Sequence, residues 1–167
     1  MDALHTRLVS NLEDALQVVS AYGLRWRIED FHKAWKSGAC DIERSKLQAP
    51  DHFLRWATIM AAVAARIERL KHLSRTEPAR PSSDEFTRDE IDAVILLRSK
   101  HTSVPYQPGD TPGLGEFVHW IAVLGGHMGS IRTRPPGTVV IARGLDRVEA
   151  AATALQMART ARPPRSG

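Results

Sequence analysis

The feature that most constrains the fold is the stretch from residue 22 to residue 36, which reads YGLRWRIEDFHKAWK. On an α-helix, at about 100° per residue, this stretch has two sides of opposite chemistry. One side is apolar and follows the spacing i, i+4, i+7 and i+11: Leu24, Ile28, Phe31 and Trp35. Because an amphipathic helix buries its apolar side, we expect this stripe to face a core.

The opposite side carries one carboxylate among groups that suit phosphate. Five residues lie within an arc of about 80°: Tyr22, Arg25, Glu29, Lys33 and Lys36. The basic side chains keep the glutamate ionised, so it could hold a hard divalent cation such as Mg²⁺. The cations and the tyrosine hydroxyl could contact phosphate oxygens, and the nearby Trp26 could stack on an unpaired base. The alternative is a solvated helix face with ion pairs such as Glu29–Lys33.

The same residues carry a resemblance to a known family. Tyr22, Arg25, Glu29 and Lys36 follow the pattern Tyr-x2-Arg-x3-Glu-x6-Lys, which resembles the YREK signature of bacterial cut-and-paste transposases of the insertion-sequence-four family. The surrounding RWRIEDFHKAWKSG is also similar to that family. The resemblance implies an RNase H-like fold in which Glu29 is a metal ligand and the third carboxylate of a DDE active site. It implies that the other three residues hold terminal phosphates of a transposon end.

The first half of the chain predicts two long helices. Ser10-x-x-Glu13 is a capping box, so we expect a helix from Asn11 to about Lys36. Pro50-Asp51 predicts a second helix to about Leu73. Its expected apolar face consists of Phe53, Trp56, Ile59, Met60, Val63, Ile67 and Leu70.

A charged connection from residue 39 to residue 50 joins these two helices. In the family that the chain resembles, the corresponding segment touches transposon-end DNA. The resemblance therefore implies two further DNA contacts, Arg44 and Lys46. The alternative is a solvated loop.

The second half predicts three shorter helices. Thr87-x-x-Glu90 is a capping box that opens a helix to about Lys100, and apolar periodicity predicts helices over 114–124 and 138–160. The string WIAVLGGHMGSIRTRPPG resembles the dimerisation module of the same family. The tryptophans that the family has at the start of the last helix are replaced here by Thr138, Ala142 and Leu145.

These patterns predict a mainly α fold in two parts. Residues 1–74 are expected to form the end of an RNase H-like catalytic domain, comprising the catalytic helix and a packing helix. A Pro- and Ser-containing linker over 75–86 precedes a small helical dimerisation module over 87–161 and a disordered tail over 162–167.

DDE chemistry needs two aspartates in addition to the glutamate, and these share two metal ions with it. The acidic residues among the 28 positions before Glu29 are Asp2, Glu13 and Asp14, and Asp14 lies on the same predicted helix. We therefore expect a C-terminal fragment of a transposase that binds transposon-end DNA and dimerises but is catalytically incomplete. Mg²⁺ would bind only in a complete active site. The alternatives are a non-catalytic partner that inhibits full-length transposase through a heterodimer, a DNA-binding helical module, and a decayed gene fragment.

The composition agrees with an anionic partner in a reducing compartment. The net charge is +4, and Cys40 is the only cysteine, so no intrachain disulfide can form. The absence of a signal peptide or a membrane-length apolar run predicts a cytoplasmic bacterial protein associated with the nucleoid and not with the membrane. The seven histidines lack the i, i+3 or i, i+4 spacing of a ligand pair, so we expect surface or packing roles for them.

Overall fold

The computed structural model describes residues 9–99, 105–129 and 135–161. Within these ranges the regular structure is helical, which confirms the predicted mainly α class, and the only β-type pairing there is an isolated bridge between Pro81 and Gly113. The α-helices are α1 (Leu12–Gly23), α2 (Arg25–Lys36), α3 (Pro50–Thr76), α4 (Arg88–Ser99), α5 (Leu114–Leu124) and α6 (Thr138–Thr160). Short 3-10 turns lie at Ile42–Arg44 and Ser82–Asp84.

The predicted first helix is wrong in two details. Its N-cap is Asn11 and not Ser10: the Asn11 side chain accepts a hydrogen bond from the Asp14 amide, and Asp14 in turn accepts one from the Ser10 amide. The helix is also divided in two at Leu24, whose backbone stays in the right-handed helical region at φ −71° and ψ −14°. Gly23, which has weak helix propensity, directly precedes this division. Backbone hydrogen bonds continue across the division, because the Leu24 amide donates to the Ser20 and Ala21 carbonyls and the Arg27 amide donates to the Leu24 carbonyl.

The chain forms two compact units, Met1–Ala64 and Ala65–Gly167, and the division falls within α3. In the first unit, two side chains of the α2 region bond to backbone carbonyls of α3. Trp35 Nε1 donates to the Ala57 carbonyl at 2.9 Å, and Cys40 Sγ lies 3.3 Å from the Met60 carbonyl. Ala34 and Ala57 are buried beside these contacts. The C-terminal half of α2 is thereby attached to α3.

The expected burial of the α2 stripe holds only in part. Phe31 and Trp35 are half-buried, whereas Leu24 and Ile28 are 54% and 59% exposed, so the expectation is wrong for those two residues. The physical reason is that the hydrogen bonds to α3 are made from the C-terminal part of α2 and beyond, at Trp35 and Cys40. The expected core face of α3 is also too wide, because three of its members are exposed: Phe53, Ile59 and Val63.

In the second unit, α4, α5 and α6 pack against one another. The boundaries predicted for α5 and α6 are confirmed, and the Thr87–Glu90 capping box forms at the start of α4 as expected. The core contains apolar residues from all three helices and the end of α3, among them Ile67, Leu70, Ile91, Val94, Ile95, Phe117, Ile121, Ile141 and Val148.

Two glycines allow α5 and α6 to approach closely. A Cβ atom on Gly144 would lie 1.9 Å from the Ile121 carbonyl oxygen, and one on Gly125 would lie 1.8 Å from the Val140 carbonyl oxygen. Real Cβ atoms do not approach oxygen so closely, so the packing of this helix pair requires glycine at both positions.

A buried carboxylate joins α4 to α6. Asp92, which is 4% exposed, accepts hydrogen bonds from Arg88 Nε at 3.0 Å, from the Gly109 amide at 3.0 Å and from Arg159 Nη2 at 2.8 Å. Burial alone raises the pKa of Asp92, but the hydrogen bonds from Arg88, Arg159 and Gly109 outweigh it and lower the pKa. Arg159 also pairs with Asp89 on α4. The carboxylate is thus ionised and fully partnered.

Two expectations from the sequence fall outside the described residues. These are the end of α4 at about Lys100 and the disordered tail over 162–167. The predicted domain boundaries stay a prediction.

Candidate nucleic-acid interface

The N-terminal part of α2 brings together three of the four YREK-like residues. Arg25 Nε donates to Glu29 Oε1 at 3.0 Å, one helical turn further along. Arg25 Nη1 donates to the Tyr22 hydroxyl at 3.3 Å, and the guanidinium carbon lies 5.7 Å from the centre of the Tyr22 ring. Arg25 is therefore the common partner of the tyrosine and the glutamate.

This contact crosses the division between α1 and α2. Tyr22 belongs to α1, whereas Arg25 and Glu29 belong to α2. Because Leu24 keeps helical backbone angles, the i, i+3 relation between Tyr22 and Arg25 is retained across the break. The division of the helix therefore leaves Tyr22 and Arg25 in contact.

The ion pair on this face is not the Glu29–Lys33 pair expected for a solvated helix face. Glu29 pairs with Arg25 and not with Lys33. Lys33 and Lys36 lie exposed in the last turn of α2 and make no ion pair with another residue in the described ranges. Their ammonium groups are available to an anion, although cations at a helix C-terminus also suit the helix dipole.

Trp26 is 70% exposed, and no ring contact involves it within the described part of the chain. It lies four residues after Tyr22, which is about 40° around a helix, so it borders the same face. An exposed indole of this size offers a flat apolar surface without a partner from its own unit. That surface is suited to stacking.

Arg44 and Lys46 lie in the connection after α2. Arg44 ends the 3-10 turn Ile42–Arg44, is 84% exposed, and lies 3.6 Å from an Asp41 carboxylate oxygen. Lys46 is exposed in the segment that precedes α3. In the described residues, neither side chain forms a hydrogen bond or ion pair with the α2 face. The structure therefore places both at the surface of the first unit but does not join them to Tyr22, Arg25 and Glu29.

The described residues do not complete a divalent metal site. No group of three or more His, Cys, Asp or Glu side chains in these ranges is arranged to hold a metal ion. Glu29 supplies one carboxylate, and its nearest partner is a guanidinium.

The sequence did not indicate that two histidines would meet. The ring centres of His119 on α5 and His127 after it lie 5.5 Å apart at an interplanar angle of 86°. On a continuous helix, residues eight apart are separated by about 12 Å along the axis, which is too far for ring contact. The turn at Gly125 and Gly126 brings the rings together. Burial lowers the pKa of His119, and the neighbouring His127 and Arg98 lower it further. The rings pack on each other, and His119 favours its neutral form.

None of the helices that the structure describes is long and apolar enough to span a membrane.

Comparison with known families gives one match that covers the candidate interface. Residues 2–65 match the family model described as the transposase DDE domain. The matched range contains α1, α2 and the first part of α3, and so all of the predicted site residues. Domains of this family generally depend on divalent metal ions. The match supports the interpretation that this part of the chain is similar to a DDE transposase.

Proposed function

We propose that this chain is the C-terminal part of a cut-and-paste DDE transposase of the insertion-sequence-four family, and that it binds transposon-end DNA through α1 and α2. The observation that carries the proposal is the exposed cluster of Tyr22, Arg25 and Glu29, with Lys33 and Lys36 further along the same helix. The cluster lies inside the range that matches the transposase DDE domain.

The chemistry of this face suits a DNA backbone. Arg25, Lys33 and Lys36 supply cations that pair with phosphate oxygens, and the Tyr22 hydroxyl can donate to another. Trp26 offers its exposed ring to a base that is unpaired at the DNA end. Arg44 and Lys46 extend the set of basic groups to the connection after α2.

The proposed role is binding without independent strand transfer. Glu29 would contribute one carboxylate to a Mg²⁺ site whose two aspartates come from residues other than those described. The apolar residues exposed on α1, namely Leu12, Leu16 and Val19, support this view because they need a further surface to cover them. In a complete domain that surface would be the remainder of an RNase H-like fold.

We propose that the second unit is a dimerisation module, which pairs with a second copy or with a full-length transposase. A chain that dimerises but lacks a complete active site would inhibit full-length transposase, and this is the second candidate function. We place the protein in the bacterial cytoplasm, associated with the nucleoid.

DNA binding by the full chain tests the first proposal. A fluorescein-labelled 20-bp duplex with a four-nucleotide single-stranded end is titrated with protein at several salt concentrations. We expect the logarithm of the association constant to fall linearly with the logarithm of salt, by about 0.9 per phosphate contacted. Binding that is independent of salt would overturn the proposed phosphate contacts.

A mixing experiment tests the inhibitory alternative. The chain is titrated into an assay of a full-length transposase of the same family, and co-purification of the two proteins is measured in parallel. Inhibition with co-purification supports a mixed dimer. Inhibition that disappears when the DNA concentration is raised supports simple competition for DNA.

A further inference from the structure

We propose that the carboxylate of Glu29 is a built-in competitor for the DNA phosphate at Arg25, so that the free protein holds its own phosphate-binding guanidinium in an internal ion pair. The inference rests on the proposed DNA-binding function and adds a regulation of that same site. DNA has to displace Glu29 from Arg25, and the displaced carboxylate becomes available to other ligands.

The geometry places Glu29 where a phosphate would bind. A guanidinium recognises carboxylate and phosphate through the same fork of N–H groups. Arg25 Nε, which belongs to one such fork, donates to Glu29 Oε1 at 3.0 Å. Arg25 Nη1 donates to the Tyr22 hydroxyl at 3.3 Å. In the free chain, two of the five N–H groups through which Arg25 could bind a phosphate are therefore already engaged.

Both members of the pair are accessible to an incoming anion. The Arg25 side chain is 61% exposed and the Glu29 side chain is 43% exposed, so displacement requires no unfolding. The Tyr22 ring lies on one side of the guanidinium at 5.7 Å and can keep it near the same position when Glu29 leaves. The exchange is therefore a local side-chain event on a preformed helix.

The exposure of the Arg25–Glu29 ion pair sets how much DNA affinity is gained when Glu29 is removed. Exposed ion pairs one turn apart on a helix are weak, so removing the competitor should strengthen DNA binding by only about twofold. Lys33 and Lys36 would contribute phosphate contacts without such a cost, because neither has an ion-pair partner in the described part of the chain. Among the three cations of the α2 face, only Arg25 is held in an internal ion pair.

A double-mutant cycle tests the proposal. We measure the affinity of the wild type, Glu29→Gln, Arg25→Gln and the double variant for the same labelled duplex at about 50 mM salt, where surface charges are weakly screened. Glu43→Gln is the matched control, because it removes the same charge from an exposed glutamate of the same unit. Circular dichroism checks that all variants keep their helical content.

The expected result is that Glu29→Gln tightens binding about twofold beyond the gain of Glu43→Gln, and that this extra gain vanishes when Arg25 is also changed. Equal gains from the two glutamine variants would overturn the inference, since the effect would then be one of overall charge. A gain that persists in the Arg25→Gln background would also overturn it.

Lys36→Ala, measured on the same labelled duplex, separates this inference from the proposed function. If Arg25→Gln and Lys36→Ala weaken DNA binding but the two glutamate variants behave alike, DNA binding stands and the internal competition is rejected. If neither cation matters for DNA binding, the proposed interface itself is rejected, and the inference fails with it.

Discussion

Arg25 connects more of the candidate site than any other residue, since it contacts both Tyr22 and Glu29. The sequence placed all three on one face of a helix, but it did not indicate which charged neighbours would pair. Glu29–Lys33 and Arg25–Glu29 have the same i, i+4 spacing. Side-chain geometry decides between them, and the Tyr22 ring gives Arg25 a second contact that Lys33 lacks.

Lys36→Ala should weaken DNA binding and lower the salt slope by about one phosphate contact, because the exposed ammonium group has no ion-pair partner among the described residues. The measurement is fluorescence anisotropy at several salt concentrations. Arg143→Ala removes the same charge from an exposed position on α6 and is the control. An equal change of slope in both variants would indicate a diffuse charge effect and would remove Lys36 from the specific contacts.

Trp26→Ala should weaken binding to DNA with a single-stranded end by about 1–3 kcal/mol, the usual value of one base–aromatic stack. Binding to a blunt duplex should change far less, because paired bases are not available to the ring. Trp26→Phe, which keeps an aromatic face, serves as the control and should retain most of the affinity. Equal losses on both DNA forms would argue against stacking. Since Trp26 is 70% exposed, thermal stability should not change.

At the scale of elements, close approach of α5 and α6 depends on Gly144. Gly to Ala inside a helix normally stabilises by about 1 kcal/mol. Here the new methyl group would meet the Ile121 carbonyl oxygen and the Ile121 side chain. We therefore expect Gly144→Ala to destabilise the second unit by about 1–3 kcal/mol in denaturant unfolding.

Gly23→Ala is the control for this prediction, because an added Cβ at Gly23 in α1 meets nothing within 4 Å. It should be neutral or slightly stabilising. A Gly144→Ala variant that is as stable as the wild type would mean that the two helices can separate at little cost.

The junction of α4 with α6 depends on Asp92. Asp92→Asn removes the charge that Arg88 and Arg159 share, and the amide can no longer accept hydrogen bonds at both of its former oxygens. Because the arginine side chains are 40% and 53% exposed and stay partly solvated, we expect a loss of about 2–3 kcal/mol in unfolding free energy. Asp89→Asn, on the same helix and less buried, should cost less than about 1 kcal/mol. Equal losses would indicate that burial of Asp92 is not the cause.

At the scale of the whole molecule, stability should fall in mild acid. The pKa of His119 is lowered in the folded chain by burial and by His127 and Arg98, so the unfolded chain binds the proton more tightly. Above about pH 6.5, the ordinary histidine pKa, both states are neutral and His119 has no effect. As the pH falls below that value, the free energy of unfolding should decrease by up to about 1.4 kcal/mol per pH unit.

Thermal unfolding between pH 7 and pH 5.5 measures this dependence. The window lies above the range in which Glu85, Glu90 and Asp92 lose their stabilising charge, because the pKa of each is lowered from its ordinary value. His119→Gln should flatten the dependence, and His52→Gln, an exposed residue of the first unit, should not. An unchanged slope in His119→Gln would assign the acid sensitivity to another group.

Much of this fold and of the candidate site could be predicted from the sequence. Local signals were sufficient for the start of α4, where Thr87 and Glu90 cap each other, and for the ends of α5 and α6. They were also sufficient to place Tyr22, Arg25 and Glu29 on one face, since helical periodicity alone sets which side chains are neighbours.

Burial was predicted less well, because it depends on which surfaces meet. Ile28 and Phe53 have the apolar character and spacing of core residues, yet both are exposed. The capping-box motif at Ser10 predicts the N-cap one residue too early, because Asn11 also has a side chain that can cap and is the residue that does so. Helix propensity and apolar periodicity indicate that a segment forms an amphipathic helix. They do not indicate which other part of the chain packs against its apolar side.

The sequence by itself therefore determined the helices, the composition of the α1–α2 face and the resemblance on which the proposed function rests. Only the tertiary structure decided that Arg25 pairs with Glu29, that Asp92 is buried between arginines, and that His119 meets His127. The reason is physical. Helix formation follows from interactions within a few residues, whereas pairing and burial depend on distances between side chains that only the folded chain brings together.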